Sequence, residues 1–186
     1  MLQTVIIIPA RGGSKRLPDK NIAPVWKRPM IYWPLVAAES VVGRDNVFVT
    51  TDSAKVASVV ESFGFNVIDR PTRLAADDVP KMAAIRHAYD EISRVTSYDV
   101  IISLQANSPQ VTGHHLREAL LLFELHGRDE LFSVGPDLMQ NAAFRIIRAG
   151  HLMRHHDLSV NCGVYVCDVV DVHEQSDIDG LEDEPS

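Results

Sequence analysis

The densest chemistry in the chain lies between residues 8 and 22, in Ile8-Pro-Ala-Arg-Gly-Gly-Ser-Lys-Arg-Leu-Pro-Asp-Lys-Asn-Ile22. Arg11, Lys15, Arg16 and Lys20 place four cations within ten residues, with Gly12 and Gly13 among them. Adjacent glycines let the backbone bend close to a ligand and turn its N–H groups inward. A loop so built can surround a polyphosphate with amides and cations. In phosphoryl or nucleotidyl transfer the chief task is to hold the chain and neutralise developing charge, which Lys and Arg do. The competing reading of the same composition is a solvated basic turn. The chain has no G-x-x-x-x-G-K-[ST] and no G-x-G-x-x-G after its first apolar run, which removes the Walker A loop and the usual dinucleotide fingerprint.

Other polar groups have two readings each. Asp177 and Asp179 are two apart, so an extended segment would put both carboxylates on one side. Mg²⁺ takes a few carboxylates plus phosphate oxygens and water, and such a pair is enough; the alternative is an acidic, solvated tail that frays. Asp52 either orients the basic loop or caps the helix that follows, and capping is the commoner use. His155-His156-Asp157 has no further spaced ligand and reads as a surface loop, while His114-His115 open a helix. Cys162 and Cys167 are five apart, which on a strand faces them oppositely, so they are read as two small apolar residues in a reducing compartment. Trp26 and Trp33 are assigned to packing where the loop meets the first helix. There is no G-x-S-x-G elbow and no H-E-x-x-H pair.

These residues need elements to position them. The 186 residues, 46% hydrophobic and 23% charged, suit one ordinary globular domain. A formal charge of −7 argues against a broad nucleic-acid-binding face. No run approaches the ~18 apolar residues that span a bilayer, and the short apolar start at Thr4–Ile8 lacks a basic leader. The expectation is a cytoplasmic protein that binds neither membrane nor nucleic acid. Apolar runs at 4–8, 46–50, 65–68 and 99–104 read as buried strands, with shorter candidates at 131–134, 144–147 and 164–166. Helical spacing recurs at 29–42 (interrupted by Pro34), after Asp52 or Ser53 up to Gly64, through Met82, Ile85, Tyr89 and Ile92, and through Leu116, Leu120 and Phe123. Strand–helix alternation predicts an α/β fold with a mostly parallel, twisted sheet. Ligands of such sheets bind at the carboxyl edge, so the loops after Ile8, Thr50, Ile68 and Leu104 are the ones to search.

Read as strings, the same segments are far more specific. Pro9-Ala-Arg-Gly-Gly-Ser-Lys-Arg-Leu-Pro-Asp-Lys-Asn-Ile22 resembles the signature of the acylneuraminate cytidylyltransferases, the CMP–sialic acid synthetases and their relatives. Val49-Thr-Thr-Asp-Ser53, Asp69-Arg-Pro-Thr-Arg-Leu-Ala-Ala-Asp77, Leu104-Gln-Ala-Asn-Ser-Pro109, Asn161-Cys-Gly-Val-Tyr165 and Asp177-Ile-Asp179 are similar to further motifs of that family, in order. The likeness is dense from residue 4 to about residue 134 and patchy beyond.

The resemblance implies a nucleotide-diphospho-sugar transferase fold in a single domain. It implies a Mg²⁺-dependent enzyme that joins CMP from CTP to a sugar acid and releases pyrophosphate. Ala10 and Arg11 would lie beside the nucleotide, Arg11, Lys15 and Lys20 would hold the phosphates, and Asn21 the ribose or base. Arg70 would enter the nucleotide pocket, although a surface arginine beside a proline turn is the alternative. Gln105, followed by Asn107 and Ser108, would lie near both nucleotide and acceptor, and Asp177 and Asp179 would carry Mg²⁺. The family's Pro-Thr is Ala106-Asn107 here, and its Leu-Arg after Ser-Pro is Gln110-Val111. Eleven residues separate Tyr165 from Asp177, where the family has tens, and the 135–160 region reads as a reduced dimerisation and sugar-contact arm. A homodimer is the expected assembly. The shortened acceptor half leaves two alternatives: a smaller sugar acceptor, or a nucleotide-binding protein without turnover.

Overall fold

The computed structural model describes residues 2–76, 78–154 and 159–181. In chain order the elements are β1 (Thr4–Pro9), β2 (Pro24–Val25), β3 (Arg28–Pro29), α1 (Tyr32–Val42), β4 (Val47–Thr51), α2 (Ala54–Ser62), β5 (Asn66–Asp69) and α3 (Lys81–Ser93). There follow β6 (Val100–Leu104), α4 (Gly113–Leu125), β7 (Glu130–Val134), β8 (Gln140–Arg148), α5 (Ala149–Arg154), β9 (Cys162–Val166) and α6 (Gln175–Asp179).

The β-branched run Val5-Ile6-Ile7-Ile8 is fully buried, as a strand covered on both faces must be. β1 pairs in parallel with β4 on one side and β6 on the other, and β5 extends the parallel part beyond β4. The seven-stranded order is β5-β4-β1-β6-β8-β7-β9. β8 runs antiparallel to both of its neighbours, and β7 and β9 are parallel again. The 135–160 region therefore supplies an internal strand of the sheet; His155, His156 and Asp157 lie outside the described residues.

Alternation along the strands divides the core. Ile6, Ile8, Val49 and Ile102 meet Leu35 of α1, Val56 and Val60 of α2, and Leu116 and Phe123 of α4. Val5, Ile7 and Ile101 meet Ile85, Ala88, Tyr89 and Ile92 of α3. Each such buried side chain contributes on the order of 2 kcal/mol. A third cluster joins Val25, Met30 and Trp33 to Val172, with Ile178 and Leu181 against it, and so docks the C-terminal segment on the β2–β3 hairpin. Trp33 Nε1 donates to the Val25 carbonyl at 3.1 Å, and Trp26 stands edge-on to Trp33 at 5.2 Å, so both tryptophans pack at the loop–helix junction.

Three local expectations change. The helix expected over 29–42 begins at Tyr32, because Arg28 and Pro29 form a short strand after a turn with Trp26 and Lys27 at positive φ. Pro34 falls in the first turn, where its missing N–H has no helical partner to lose. Ser53, rather than Asp52, caps α2 by accepting from Val56 N–H at 3.4 Å. The segment expected to extend Asp177 and Asp179 is the helix α6. Residues two apart on a helix are about 200° apart, so the two carboxylates do not share a side.

At the start of α4, Thr112 and His115 form a capping box: Thr112 Oγ1 accepts from His115 N–H at 3.4 Å, and His115 Nδ1 accepts from Thr112 N–H at 3.2 Å. Burial pulls the His115 pKa down, His114 adds to this, and Glu118 opposes it. A depressed histidine stabilises the fold above its ordinary pKa, and that contribution is lost as pH falls through the folded value. Thermal melting should therefore fall between pH 7.5 and 5.5 by more in the parent than in His115→Gln, which keeps an acceptor that does not titrate. A difference of about 2–4 °C is expected for a cap worth ~1 kcal/mol; equal slopes would exclude the box as the titrating device.

Candidate active site at the carboxyl edge of the sheet

The loop after β1 is held open by contacts with the loop after β4. Ala10 N–H donates to the Thr50 carbonyl at 3.0 Å, and Gly12 N–H donates to Asp52 Oδ1 at 3.0 Å. Asp52 thus orients the basic loop, the less common of its two readings. A Cβ on Gly12 would lie 2.8 Å from Ser53 Cβ, so only glycine allows this approach without a shift. Asn21, nearly buried, donates from Nδ2 to the Arg11 carbonyl at 2.9 Å and fixes the loop's far limb.

Arg70 is 5% exposed, so it is no surface arginine. Its Nη2 donates to the Thr50 carbonyl at 2.6 Å. Burial draws its pKa down, Asp52 opposes this, and Arg11 adds to it.

These loops enclose a cavity of about 350 Å³. Of the residues expected at the site, Arg11, Lys20, Asn21, Arg70, Gln105 and Asn107 line it. Ala10 and Ser108 are fully buried behind its wall, and Lys15 stands outside the lining. Leu74, Ala75, Ala76, Val79 and Ala84 give one stretch an apolar surface against which a flat ring can lie.

Asp177 and Asp179 are not among the lining residues. The Asp177 carboxylate accepts from the backbone N–H groups of His173 (2.6 Å) and Glu174 (2.9 Å), and these bonds hold its pKa below the usual carboxylate range. Asp179 accepts from Gln175 Nε2 at 2.9 Å. Among the described residues the acid lining the cavity is Asp171, and His173 lines it too. Asp171 accepts from the Ser108 hydroxyl. Burial pushes its pKa up, opposed by that hydrogen bond and by His173, Lys81 and Lys20.

Asp171 is held by its neighbour. Val172, 0% exposed, donates from N–H to the Asn107 carbonyl at 2.8 Å. Its own carbonyl accepts from Asn107 Nδ2 at 2.9 Å and from Lys20 Nζ at 3.0 Å. Burial lowers the Lys20 pKa, Asp171 opposes this, and Arg11, Arg16 and Lys81 add to it. Reading the sequence missed Asp171, His173 and Lys81. The signal for Asp171 was distance: β9 lies three strand spacings from β6, ~14 Å, and the five steps along the chain from Val166 to Asp171 span about that length when extended.

Fold and site together define an α/β protein with a largely cationic cavity at the carboxyl edge of its parallel strands. The family model described as Cytidylyltransferase matches residues 5–160, and the chain belongs to that family. The N-acylneuraminate cytidylyltransferase of Escherichia coli O18:K1:H7 (strain RS218 / NMEC) is 35% identical over 120 residues, covering 64% of this chain and 28% of that protein. The 8-amino-3,8-dideoxy-manno-octulosonate cytidylyltransferase of Shewanella sp. (strain ANA-3) is 30% identical over 142 residues, covering 76% of this chain and 56% of that protein. The chain thus matches less than two thirds of the length of either relative. A solved structure of CMP:2-keto-3-deoxy-manno-octonic acid synthetase complexed with CTP superposes with a TM-score of 0.78 at 17% identity, covering 95% of each chain. At that identity the superposition shows the shared fold.

The division of labour between Asp52 and Ser53 is testable. Asp52→Ala should speed amide hydrogen exchange in the basic loop about tenfold, through loss of the charge-assisted hydrogen bond from Gly12 N–H. Ser53→Ala should lower the melting temperature by a few degrees and leave exchange in the basic loop within about twofold. The reverse pattern would return the cap to Asp52.

Proposed function

We propose that the chain is a cytidylyltransferase that transfers CMP from CTP to a sugar acid. The observation that carries this reading is the convergence of Arg11, Lys20 and Arg70 with Asp171, the one carboxylate among the described lining residues, on one cavity at the carboxyl edge. A triphosphate needs several cations, and a metal beside it needs few protein ligands.

In the reaction the anomeric hydroxyl of the acid attacks the α-phosphate in line. A new O–P bond forms, the bond from the α-phosphate to the β-phosphate oxygen breaks, pyrophosphate leaves, and the hydroxyl proton passes to solvent. Arg11 and Lys20 stabilise the charge that grows on the departing pyrophosphate, with Lys15 at the outer end of the same loop. Arg70 and the apolar stretch beside it hold the nucleoside. Gln105, 8% exposed and tied through its backbone N–H to the Ala143 carbonyl at 2.9 Å, lines the cavity, which supports a role for its side chain between the two substrates. No covalent enzyme intermediate is required.

The donor set fits a divalent cation of the Mg²⁺ class. Asp171 offers a carboxylate, and Asn107, whose Nδ2 is committed to Val172, offers its amide oxygen. A bound ion would neutralise charge on the α-phosphate and the leaving group. The metal reading thus belongs to Asp171 and Asn107, because α6 engages the Asp177 carboxylate as a cap and holds Asp179 away from the cavity.

The reading is tested by pyrophosphate release with Mg²⁺, each of the four ribonucleoside triphosphates in turn, and N-acetylneuraminate or 2-keto-3-deoxy-manno-octonate as acceptor. Release should require the acid and favour CTP by at least about a hundredfold over UTP. CTP binding without release from any acid would assign the chain to nucleotide binding alone.

A further inference from the structure

Four cations line the cavity, and three of them also serve its wall. Arg11 donates to the Ala75 carbonyl at 3.4 Å, Lys20 to the Val172 carbonyl at 3.0 Å and Arg70 to the Thr50 carbonyl at 2.6 Å. Lys81 differs from them. Among the described residues its ammonium makes no hydrogen bond, and the residue is exposed. It is also badly placed to support its own helix. Lys81 is the first residue of α3, and that first turn carries no acid to offset it. A cation there stands against the positive end of the helix dipole, where an acid would stabilise.

The acid that bears on Lys81 is Asp171, and Lys81 in turn acts on Asp171 and Lys20. Surrounding protein lowers its pKa, which Asp171 partly restores. Lys81 and Asp171 line the same cavity, and Lys81 comes from a different element than the basic loop. A metal held by Asp171 would share the negative charge that, among the described residues, bears on Lys81. An anionic group of a substrate could then take its place beside the ammonium.

Resting on the function proposed above, we infer that Lys81 reads the carboxylate of the acceptor and is the residue that makes the enzyme select a sugar acid over a neutral sugar. The chemistry of a 2-keto sugar acid supports this. In its ring form the carboxylate and the attacking hydroxyl are borne by the same carbon. Whatever recognises the carboxylate must lie within a few ångströms of the attacked phosphate, and the surroundings of Asp171 meet that condition.

The test uses the whole chain loaded with Mg²⁺ and the non-transferable analogue α,β-methylene-CTP. N-acetylneuraminate, 2-keto-3-deoxy-manno-octonate and the carboxamide of each are titrated by calorimetry. The parent should prefer acid over amide by at least about tenfold, and Lys81→Met should lose that preference while its CTP affinity stays within about twofold. With CTP in place of the analogue, Lys81→Met should raise KM for the acid more than it lowers kcat, and Lys81→Arg should restore part of the loss. An unchanged acid Kd in Lys81→Met would overturn the inference, as would a loss confined to CTP, which would place Lys81 on the nucleotide. A parent chain that binds the CTP analogue but none of the acids would remove the transferase reading itself, together with the role given to Lys81.

Discussion

One buried residue holds the site together. Val172 fills the apolar seat made by Val25, Met30 and Trp33, while its backbone exchanges two hydrogen bonds with Asn107 and accepts a third from Lys20. Three stretches distant in sequence thereby meet: the basic loop after β1, the turn after β6 and the strap after β9. A buried peptide group must find partners or lose on the order of 1–3 kcal/mol for each one missing, so the strap has little freedom to slide. The position of Asp171, one residue before, follows from that anchor.

The charges of the cavity follow from the same arrangement. Arg70 is buried against Thr50, and Lys20 is half-buried against the strap. Cations brought together in this way repel one another, and a chain with a formal charge of −7 has acids to spare for pairing them. Yet Asp171 is the one acid lining this cavity among the described residues. That imbalance supports the polyanionic substrate proposed above. Burial holds Asp171 above its ordinary pKa against the Ser108 hydrogen bond and the opposing charges of Lys81 and Lys20.

Much of this was legible in the residues. The continuous apolar runs marked β1, β4 and β6, and the strand–helix alternation placed the ligand edge where the cavity lies. The glycine-bearing basic loop stood out by its own composition, whereas Arg70, Gln105 and Asn107, which line the cavity, were expected from strings that resemble the family's motifs. What escaped depends on distance through the fold. In a stretch with acids at 168, 171, 174, 177 and 179, no local rule says which one reaches the cavity. That was decided by the width of three strands between β9 and β6 and by the seat for Val172. Asp177 and Asp179 satisfied an extended-strand pattern, but the chain coils there into α6 and engages Asp177 as a cap. The α3 lysine escaped for a similar reason, since at position 81 it reads as an ordinary solvated charge on an amphipathic helix.

The central claim is that the strap delivers Asp171, and neither Asp177 nor Asp179, to a metal beside the triphosphate. Electron paramagnetic resonance of Mn²⁺ titrated into the CTP-loaded protein tests it directly. The account predicts that Asp171→Asn weakens Mn²⁺ binding by at least about tenfold, while Asp177→Asn and Asp179→Asn bind the ion as the parent does. Parent-like binding by Asp171→Asn, with loss in either of the other two, would contradict it.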